Sequence, residues 1–139
     1  MRPFWKRGGT WRRTTTLSRI LDASGQTIGT RVLTKNHPIE RSHPDLVYFS
    51  MFYASSPLPS SAEMDVFDEA QKRLDVLSEK LDFYQPAIIM LNGKRDWILY
   101  ARNGAKLISE LQLELSQFGP QMECQSDPNW SQFRTIRKF

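Results

Sequence analysis

Hydrophobic and polar positions between residues 45 and 126 alternate between strand-like and helix-like patterns. Residues 46–54 (LVYFSMFYA) form a nearly continuous aromatic and β-branched run, which predicts a central strand covered on both faces. From residue 64 to residue 81, apolar side chains recur every three or four positions, which predicts an amphipathic helix. Ser60 and Glu63 have the S-x-x-E spacing of a capping box, so we expect the helix to begin there.

Two further strand-like runs, residues 83–91 and 94–101, flank the dipeptide Asn92-Gly93. Both central residues of a type I′ turn need a positive φ angle, which Asn-Gly tolerates, so this segment predicts a β-hairpin. Pro86 cannot donate a hydrogen bond to a neighbouring strand, and we therefore expect its strand to lie at a sheet edge.

The rest of this region predicts a second helix and a last strand. Asn103 is a helix-capping residue, and Gly119-Pro120 ends the apolar stripe that follows it. Residues 121–125 then have a strand-like pattern. The order strand, helix, strand, strand, helix, strand predicts an α+β fold, the ferredoxin-like β-α-β-β-α-β sandwich, with two helices on one face of a four-stranded antiparallel sheet.

Upstream of this body, the runs LSRILD and TIGTRVLT are separated by residues 23–26, which predicts an N-terminal β-hairpin. We therefore expect a basic flexible arm followed by a single α+β domain. The predicted boundaries are 1–16 for the arm and 17–139 for the domain, which divides into 17–43 (hairpin and loop), 45–126 (ferredoxin-like body) and 127–139 (C-terminal tail).

Composition supports one compact domain and narrows the chemistry. The chain has 139 residues, 40% of them hydrophobic, and no apolar run long enough for a membrane helix or a secretory signal, so we expect a cytoplasmic protein that does not bind membranes. Cys124 is the only cysteine, and with His37 and His43 it cannot complete a tetrahedral zinc site. We expect no metal and no cofactor.

The net charge of +4 is unevenly distributed. Residues 1–43 contain nine Lys and Arg against Asp22 and Glu40, a balance of +7, so the remaining residues carry −3. The chain is therefore a basic N-terminal segment attached to a mildly acidic body, and each half implies a different kind of partner.

Five features in order resemble the bacterial family catalogued as domain of unknown function 695. They are DLVYFSMFY, the connector PLPSSAEMD, the turn and strand NGKRDWILY, the helix that ends at FGP, and DPNWSQF, and together they cover about residues 45–133. The family has no established activity, so the resemblance implies a fold rather than a function. The architecture is also distantly similar to the regulator of ribonuclease E activity B, a small protein that inhibits its enzyme by binding it.

No catalytic constellation is visible in the sequence. The nucleophile elbow, the phosphate-binding loop and the dinucleotide fingerprint are all absent. His37 and His43 each precede a proline in a loop, which favours ordinary surface residues, and Cys124 in a strand pattern favours a small buried hydrophobe. We therefore expect a protein that is not an enzyme.

The polar face of the first predicted helix is acidic. Its carboxylates favour either a solvated helix face or a surface that attracts a basic protein partner, because a carboxylate patch can occupy the phosphate site of a nuclease. The candidate protein-binding residues are Asp65, Asp68, Glu69, Asp75 and Glu79.

The N-terminal arm combines aromatic and basic side chains, as single-stranded RNA binders do, although short basic termini also serve only for solubility. Its candidate RNA-binding residues are Trp5, Lys6, Arg7, Trp11, Arg12 and Arg13.

The two charged regions lead to two hypotheses about function. The first is a protein-binding domain that acts as a stoichiometric inhibitor or immunity protein against a toxin or nuclease. The second is an RNA-associated regulator that binds through the arm.

The sequence does not decide whether Trp97 and Trp130 lie in the core or at the surface, but alternation along the strand predicts that Trp97 and Tyr100 face opposite sides of the sheet.

Overall fold

The computed structural model describes residues 17–20, 27–32, 41–55, 59–91 and 93–136. In chain order, its elements are β1 (Leu17–Ile20), β2 (Thr27–Val32), β3 (Asp45–Phe52), α1 (Ser61–Lys80), β4 (Phe83–Leu91), β5 (Lys94–Ala101), α2 (Gly104–Leu115), a 3-10 turn (Ser116–Phe118), β6 (Gln121–Ser126) and α3 (Ser131–Ile136). The chain is a mixed α+β structure, as the sequence predicts.

The strands form one antiparallel sheet in the order β1-β2-β4-β5-β3-β6. Within it, β4, β5, β3 and β6 are the four strands predicted for the body, and β3 lies between β5 and β6 as expected of a central strand. The N-terminal strands β1 and β2 pair with each other and extend the sheet beyond β4. The strand β6 ends the sheet on the opposite side.

The prediction that the strand carrying Pro86 lies at an edge is wrong, because β4 pairs with β2 as well as with β5. The ladder between β2 and β4 stops at the pair Val32 and Ala87, one residue short of the proline. On the other side, the register of β4 against β5 shifts between Tyr84 and Ala87. A bulge therefore accommodates the proline inside the sheet, where no ladder hydrogen bond requires its missing N–H.

The predicted helix starts are confirmed. The Ser60 hydroxyl accepts a hydrogen bond from the Glu63 amide, and the Glu63 carboxylate accepts from the Ser60 amide. A second oxygen of that carboxylate accepts from the Ala54 amide at 2.7 Å, and these backbone donors lower the pKa of Glu63 to about 2. The start of α2 is capped by the Asn103 side chain.

Each face of the sheet has its own hydrophobic core. The larger core joins α1 and α2 to one face through residues such as Phe67, Leu111 and Trp97. The smaller core lies on the opposite face, where Trp130 and Phe133 pack against Tyr100. Trp97 and Tyr100 therefore face opposite sides of the sheet, as predicted, and both tryptophans that the sequence left undecided are fully buried.

Candidate functional site

The outward face of α1 carries the predicted acidic patch. Asp65, Asp68 and Glu69 are exposed in the first half of the helix, around Val66, which is 47% exposed. Asp65 and Asp68 form no hydrogen bond or ion pair with any residue that the structure describes. Glu69 pairs only loosely with Arg73, at 3.7 Å and in solvent, where such a pair contributes little to stability. These three carboxylates are therefore available to a partner.

The prediction that Asp75 lies on the solvent side of the helix is wrong. Its Oδ1 accepts hydrogen bonds from Nε2 of Gln71 and Nε2 of Gln85, both at 2.7 Å. Gln71 in turn donates to Gln85 at 2.9 Å and accepts from Trp97 Nε1 at 2.8 Å. A buried polar network between the helix and the sheet therefore holds Asp75 inward. The side-chain amides of Gln71 and Gln85 are buried, and without a hydrogen-bond acceptor their burial would be costly. Glu79, the last of the predicted residues, is half-buried.

A groove between α1 and α2 continues this surface. It has a volume of about 340 Å³ and is lined by Leu77 and Leu115, with charged side chains such as Glu69 and Glu114 around them. Val76 at its border is 70% exposed. An apolar floor with a charged rim is the usual composition of a protein-binding site. Val76 is the sequence signal that could have indicated this groove, because it is an apolar residue at a position where the helical period expects a polar one.

The ends of α1 and α2 border a second cavity, of about 440 Å³, which has a mixed charge. Lys80, Arg102 and Lys106 line it together with Asp82. The Arg102 guanidinium donates to Asp82 at 2.7 Å, so one cation and one anion of this cavity already neutralise each other. The amides of Gly104 and Lys106 at the start of α2 are bonded to the side chains of Asp45 and Asn103. These amides are therefore not available to bind an anion.

His43 is buried beside this cavity, so the prediction of an ordinary surface histidine is wrong. It is 2% exposed, its ring lies edge-on to Tyr84 at 4.7 Å, and its Nε2 is 3.2 Å from Asp82 Oδ1. Burial works to raise the pKa of Asp82, but hydrogen bonds from Arg102 and His43 lower it overall. Asp82 has a φ of 55°, a left-handed conformation, and its carboxylate lies between the Arg102 guanidinium and the His43 ring. The other predicted loop histidine, His37, lies outside the described residues.

The motif Asp127-Pro128-Asn129-Trp130 builds the second face of the sheet. Asp127 accepts from the Tyr100 hydroxyl at 2.7 Å and from the amides of Ser131 and Gln132 at 2.8 and 3.0 Å. Trp130 stacks on Tyr100 with ring centroids 4.2 Å apart and donates to the His43 carbonyl at 2.9 Å. These contacts fasten α3 to the sheet, so the motif has a structural role.

The second face of the sheet also carries a small polar pocket of about 160 Å³, which is lined by residues of β3, β5 and β6. The Ser50 hydroxyl donates to Asp96 at 2.5 Å, and Lys94 lies 3.5 Å from the other oxygen of Asp96. Burial raises the pKa of the neighbouring Tyr48, and the charges of Asp96, Asp127 and Glu123 raise it further. Both oxygens of Asp96 are therefore already in contact with side chains of the fold.

Among the residues that the structure describes, no three His, Cys, Asp or Glu side chains are grouped closely enough to hold a metal ion. Within the same residues, no helix is long and apolar enough to span a bilayer. Cys124 lies in a strand as predicted, but it is exposed rather than buried. The predicted RNA-binding residues, from Trp5 to Arg13, lie outside the described part of the chain.

Comparisons with known proteins give one match. Residues 17–136 match the family model described as Family of unknown function (DUF695). The match confirms the resemblance drawn from the sequence and extends it to the N-terminal strands. Neither the curated proteins nor the solved structures contain a match to this chain.

Proposed function

The chain belongs to the DUF695 family, a family of unknown function, and we propose that it is a non-catalytic protein-binding domain, a stoichiometric inhibitor or immunity protein for a basic toxin or nuclease. The observation that carries the proposal is that some of its carboxylates are hydrogen-bonded within the fold and others are not. Asp45, Asp75, Asp82 and Asp127 are each held by hydrogen bonds within the fold, whereas Asp65 and Asp68 have no such bond among the described residues.

The surroundings of these acids support a protein partner. Val66 and Val76 expose aliphatic surface on the same helix, and the adjoining groove has an apolar floor. Burying that apolar surface would supply affinity, while the acids would accelerate encounter with a basic partner and fix its orientation. Lys72 and Arg73 follow the acids along α1, so the partner would meet exposed carboxylates and then two exposed cations on one helix.

The first experiment is retention of binding partners from lysate by the full chain, with and without nuclease treatment. A single protein retained in stoichiometric amount after nuclease treatment supports the proposal, provided that this chain also abolishes the activity of the purified protein. Recovery of a partner whose activity is unchanged by a stoichiometric amount of this chain contradicts inhibition.

Charge variants then locate the interface. Replacing Asp65 and Asp68 by asparagine should slow association, and the effect should shrink as salt screens the charges. The matched control is Gln132→Lys with Thr135→Lys, which changes the net charge by the same amount on the opposite face of the sheet. If both pairs slow association equally, overall charge rather than this patch is responsible.

The alternative function is an RNA-associated regulator, and its support is the sequence of the arm, in which Trp5 and Trp11 alternate with basic residues. Under this alternative, the retained material is RNA, and removing residues 1–16 abolishes its retention while the body stays folded. Retention of RNA by the shortened chain contradicts it.

For the body of the domain we propose the ferredoxin-like arrangement. The sheet order β4-β5-β3-β6, with α1 and α2 in one core against one face, supports that assignment. The strands β1 and β2 and the helix α3 are then additions to it.

A further inference from the structure

The strand β6 has a partner strand on one side only among the residues that the structure describes. It pairs with β3 along its whole length, and no other described residue pairs with its outer side. The Asp127 amide donates to the Pro44 carbonyl, so the backbone groups of residue 127 point toward β3. In an antiparallel ladder, successive residues point their backbone groups alternately toward the partner strand and away from it. By that alternation, the backbone groups of Met122, Cys124 and Ser126 point away from β3, toward the open edge.

This edge lacks the features that keep sheet edges from pairing. Natural edge strands are commonly protected by lysines, prolines or bulges. The sequence of β6, QMECQS, contains no lysine and no proline, and its register against β3 is continuous. Its single charged residue is Glu123.

The flank of α2 above β6 is also uncharged. A Cβ atom at Gly104 would overlap Cys124 Sγ and approach Val47, so this helix lies directly over β6 and β3. The charged side chains of α2 face α1 instead, because Lys106 and Glu110 line the cavity and Glu114 lines the groove shared with that helix. The opposite flank carries Ala105, Ile108, Ser109, Gln112 and Ser116.

Apolar side chains reach the surface along the same margin. Ile108, Phe118 and Met122 pack against the larger core but are only partly buried. An uncharged strand edge, an uncharged helix flank and a strip of partly exposed core residues together have the composition of an interface centre, where charged residues are depleted.

We propose that β6 pairs with β6 of a second copy of this chain, so that the two sheets join into one across a two-fold axis. The outward-pointing residues 122, 124 and 126 must bond across the axis. An axis at Cys124 pairs all three with one another, whereas an axis at Glu123 pairs only 122 with 124 and an axis at Gln125 pairs only 124 with 126. An axis at Glu123 would place two like charges opposite each other, which is destabilising. An axis at Cys124 instead places Glu123 opposite Gln125 of the second copy and Met122 opposite Ser126. An axis at Gln125 would place Glu123 opposite Asp127, again two like charges. The avoidance of like-charge pairs therefore selects the axis at Cys124.

This register makes a specific prediction for chemical crosslinking. Cys124 lies opposite its own copy in a hydrogen-bonded pair, with Cα atoms about 5.5 Å apart. A short bis-maleimide should therefore crosslink the full chain into a covalent dimer. The matched control is Cys124→Ser with Gln121→Cys, because the two copies of residue 121 are six residue steps, about 20 Å, apart along the strands.

Charge at position 125 tests the same register by sedimentation over a concentration series. Gln125 is exposed, so neither variant should disturb the fold. Gln125→Glu should weaken the dimer and Gln125→Lys should strengthen it, each by between about twofold and about thirtyfold, since the pair with Glu123 occurs twice.

Several results would overturn the proposal. The first is that the full chain is monomeric at all concentrations. The second is that crosslinking is equal at positions 121 and 124. The third is that Gln125→Glu and Gln125→Lys shift the monomer–dimer equilibrium in the same direction. Dimerisation that is absent in the full chain and occurs only after removal of residues 1–16 would also overturn it, and would assign the β6 edge to the chain's own arm.

Discussion

Replacing Asp127 by asparagine tests whether the second face of the sheet depends on one carboxylate. The two oxygens of Asp127 accept from three donors: the Tyr100 hydroxyl and the amides of Ser131 and Gln132. Asparagine has a single acceptor oxygen and directs an NH₂ group at whatever faces the other position. At least one donor is then left opposed to another donor.

The magnitude follows from these contacts. Hydrogen bonds to a charged group contribute roughly 1.5–3 kcal/mol, and neutral ones about 1 kcal/mol. Ser131 is exposed, so water can satisfy its amide, whereas the Tyr100 ring is fully buried. We therefore expect Asp127→Asn to lower the free energy of unfolding by about 2 kcal/mol at neutral pH.

The pH dependence gives a second, independent readout. Burial works to raise the pKa of Asp127, but the hydrogen bonds from Tyr100, Gln132 and Ser131 lower it overall. A lowered folded-state pKa means that the carboxylate stabilises the fold above its unfolded pKa, about 3.9. This contribution is lost as the pH falls through the folded value. The difference between wild type and Asp127→Asn should therefore narrow below about pH 4.

Urea unfolding followed by circular dichroism measures both effects. Asp68→Asn is the matched control, because it makes the same chemical change at an exposed carboxylate that has no partner among the described residues. The control should stay within about 0.5 kcal/mol of wild type. The reasoning is refuted if Asp127→Asn behaves like the control, or if its difference from wild type is the same in acid as at neutral pH.

Three further substitutions test the fold in the same unfolding assay. Trp130→Phe should cost about 2 kcal/mol, because it removes the hydrogen bond to the His43 carbonyl and part of a fully buried ring; an unchanged midpoint would contradict that packing. Ser60→Ala should cost about 1 kcal/mol through loss of the α1 capping box, and Ser60→Asp, which restores the acceptor, should recover most of it. Gly93→Ala should cost more than about 1 kcal/mol, because Gly93 has a φ of 78° and a Cβ there would lie 3.1 Å from the Tyr53 carbonyl oxygen; a neutral result would show that the turn relaxes.

Local patterns predicted the elements of the body because each has a short-range cause. The Ser60 and Glu63 spacing, the Asn92-Gly93 dipeptide and the stripe along α1 act over a few residues. The structure contains a capped helix at Ser60 and pairs Leu91 with Lys94 as a hairpin requires, although Asn92 itself lies outside the described residues. The placement of Pro86 failed for the opposite reason. Whether β4 is an edge depends on β2, a strand more than fifty residues earlier in the chain, and no local pattern records that pairing.

The burial of polar residues was the least predictable property. Asp75 lies at a position where the helical period expects solvent, but Gln71 and Gln85 hold it inward. His43 precedes a proline in a loop, but the aromatic ring of Tyr84 and the carboxylate of Asp82 enclose it. Both cases depend on contacts between elements distant in sequence, so composition and periodicity could not reveal them.

The buried residues of the segments that carry the family resemblance stabilise the fold, and this separates stability from the proposed binding. Trp97, Asp127 and Trp130 are buried, whereas Asp65 and Asp68 are exposed on α1. This helix lies on the opposite face of the sheet from Asp127 and Trp130. Asp127→Asn should therefore lower stability and leave the association rate of the folded protein unchanged. Replacing Asp65 and Asp68 by asparagine should slow association and leave the free energy of unfolding nearly unchanged. The expected decrease is at most about 1 kcal/mol, because the two acids lie near the start of α1 and interact favourably with the helix dipole. If Asp127→Asn slows association under conditions where the protein is fully folded, the partner binds the second face of the sheet rather than α1.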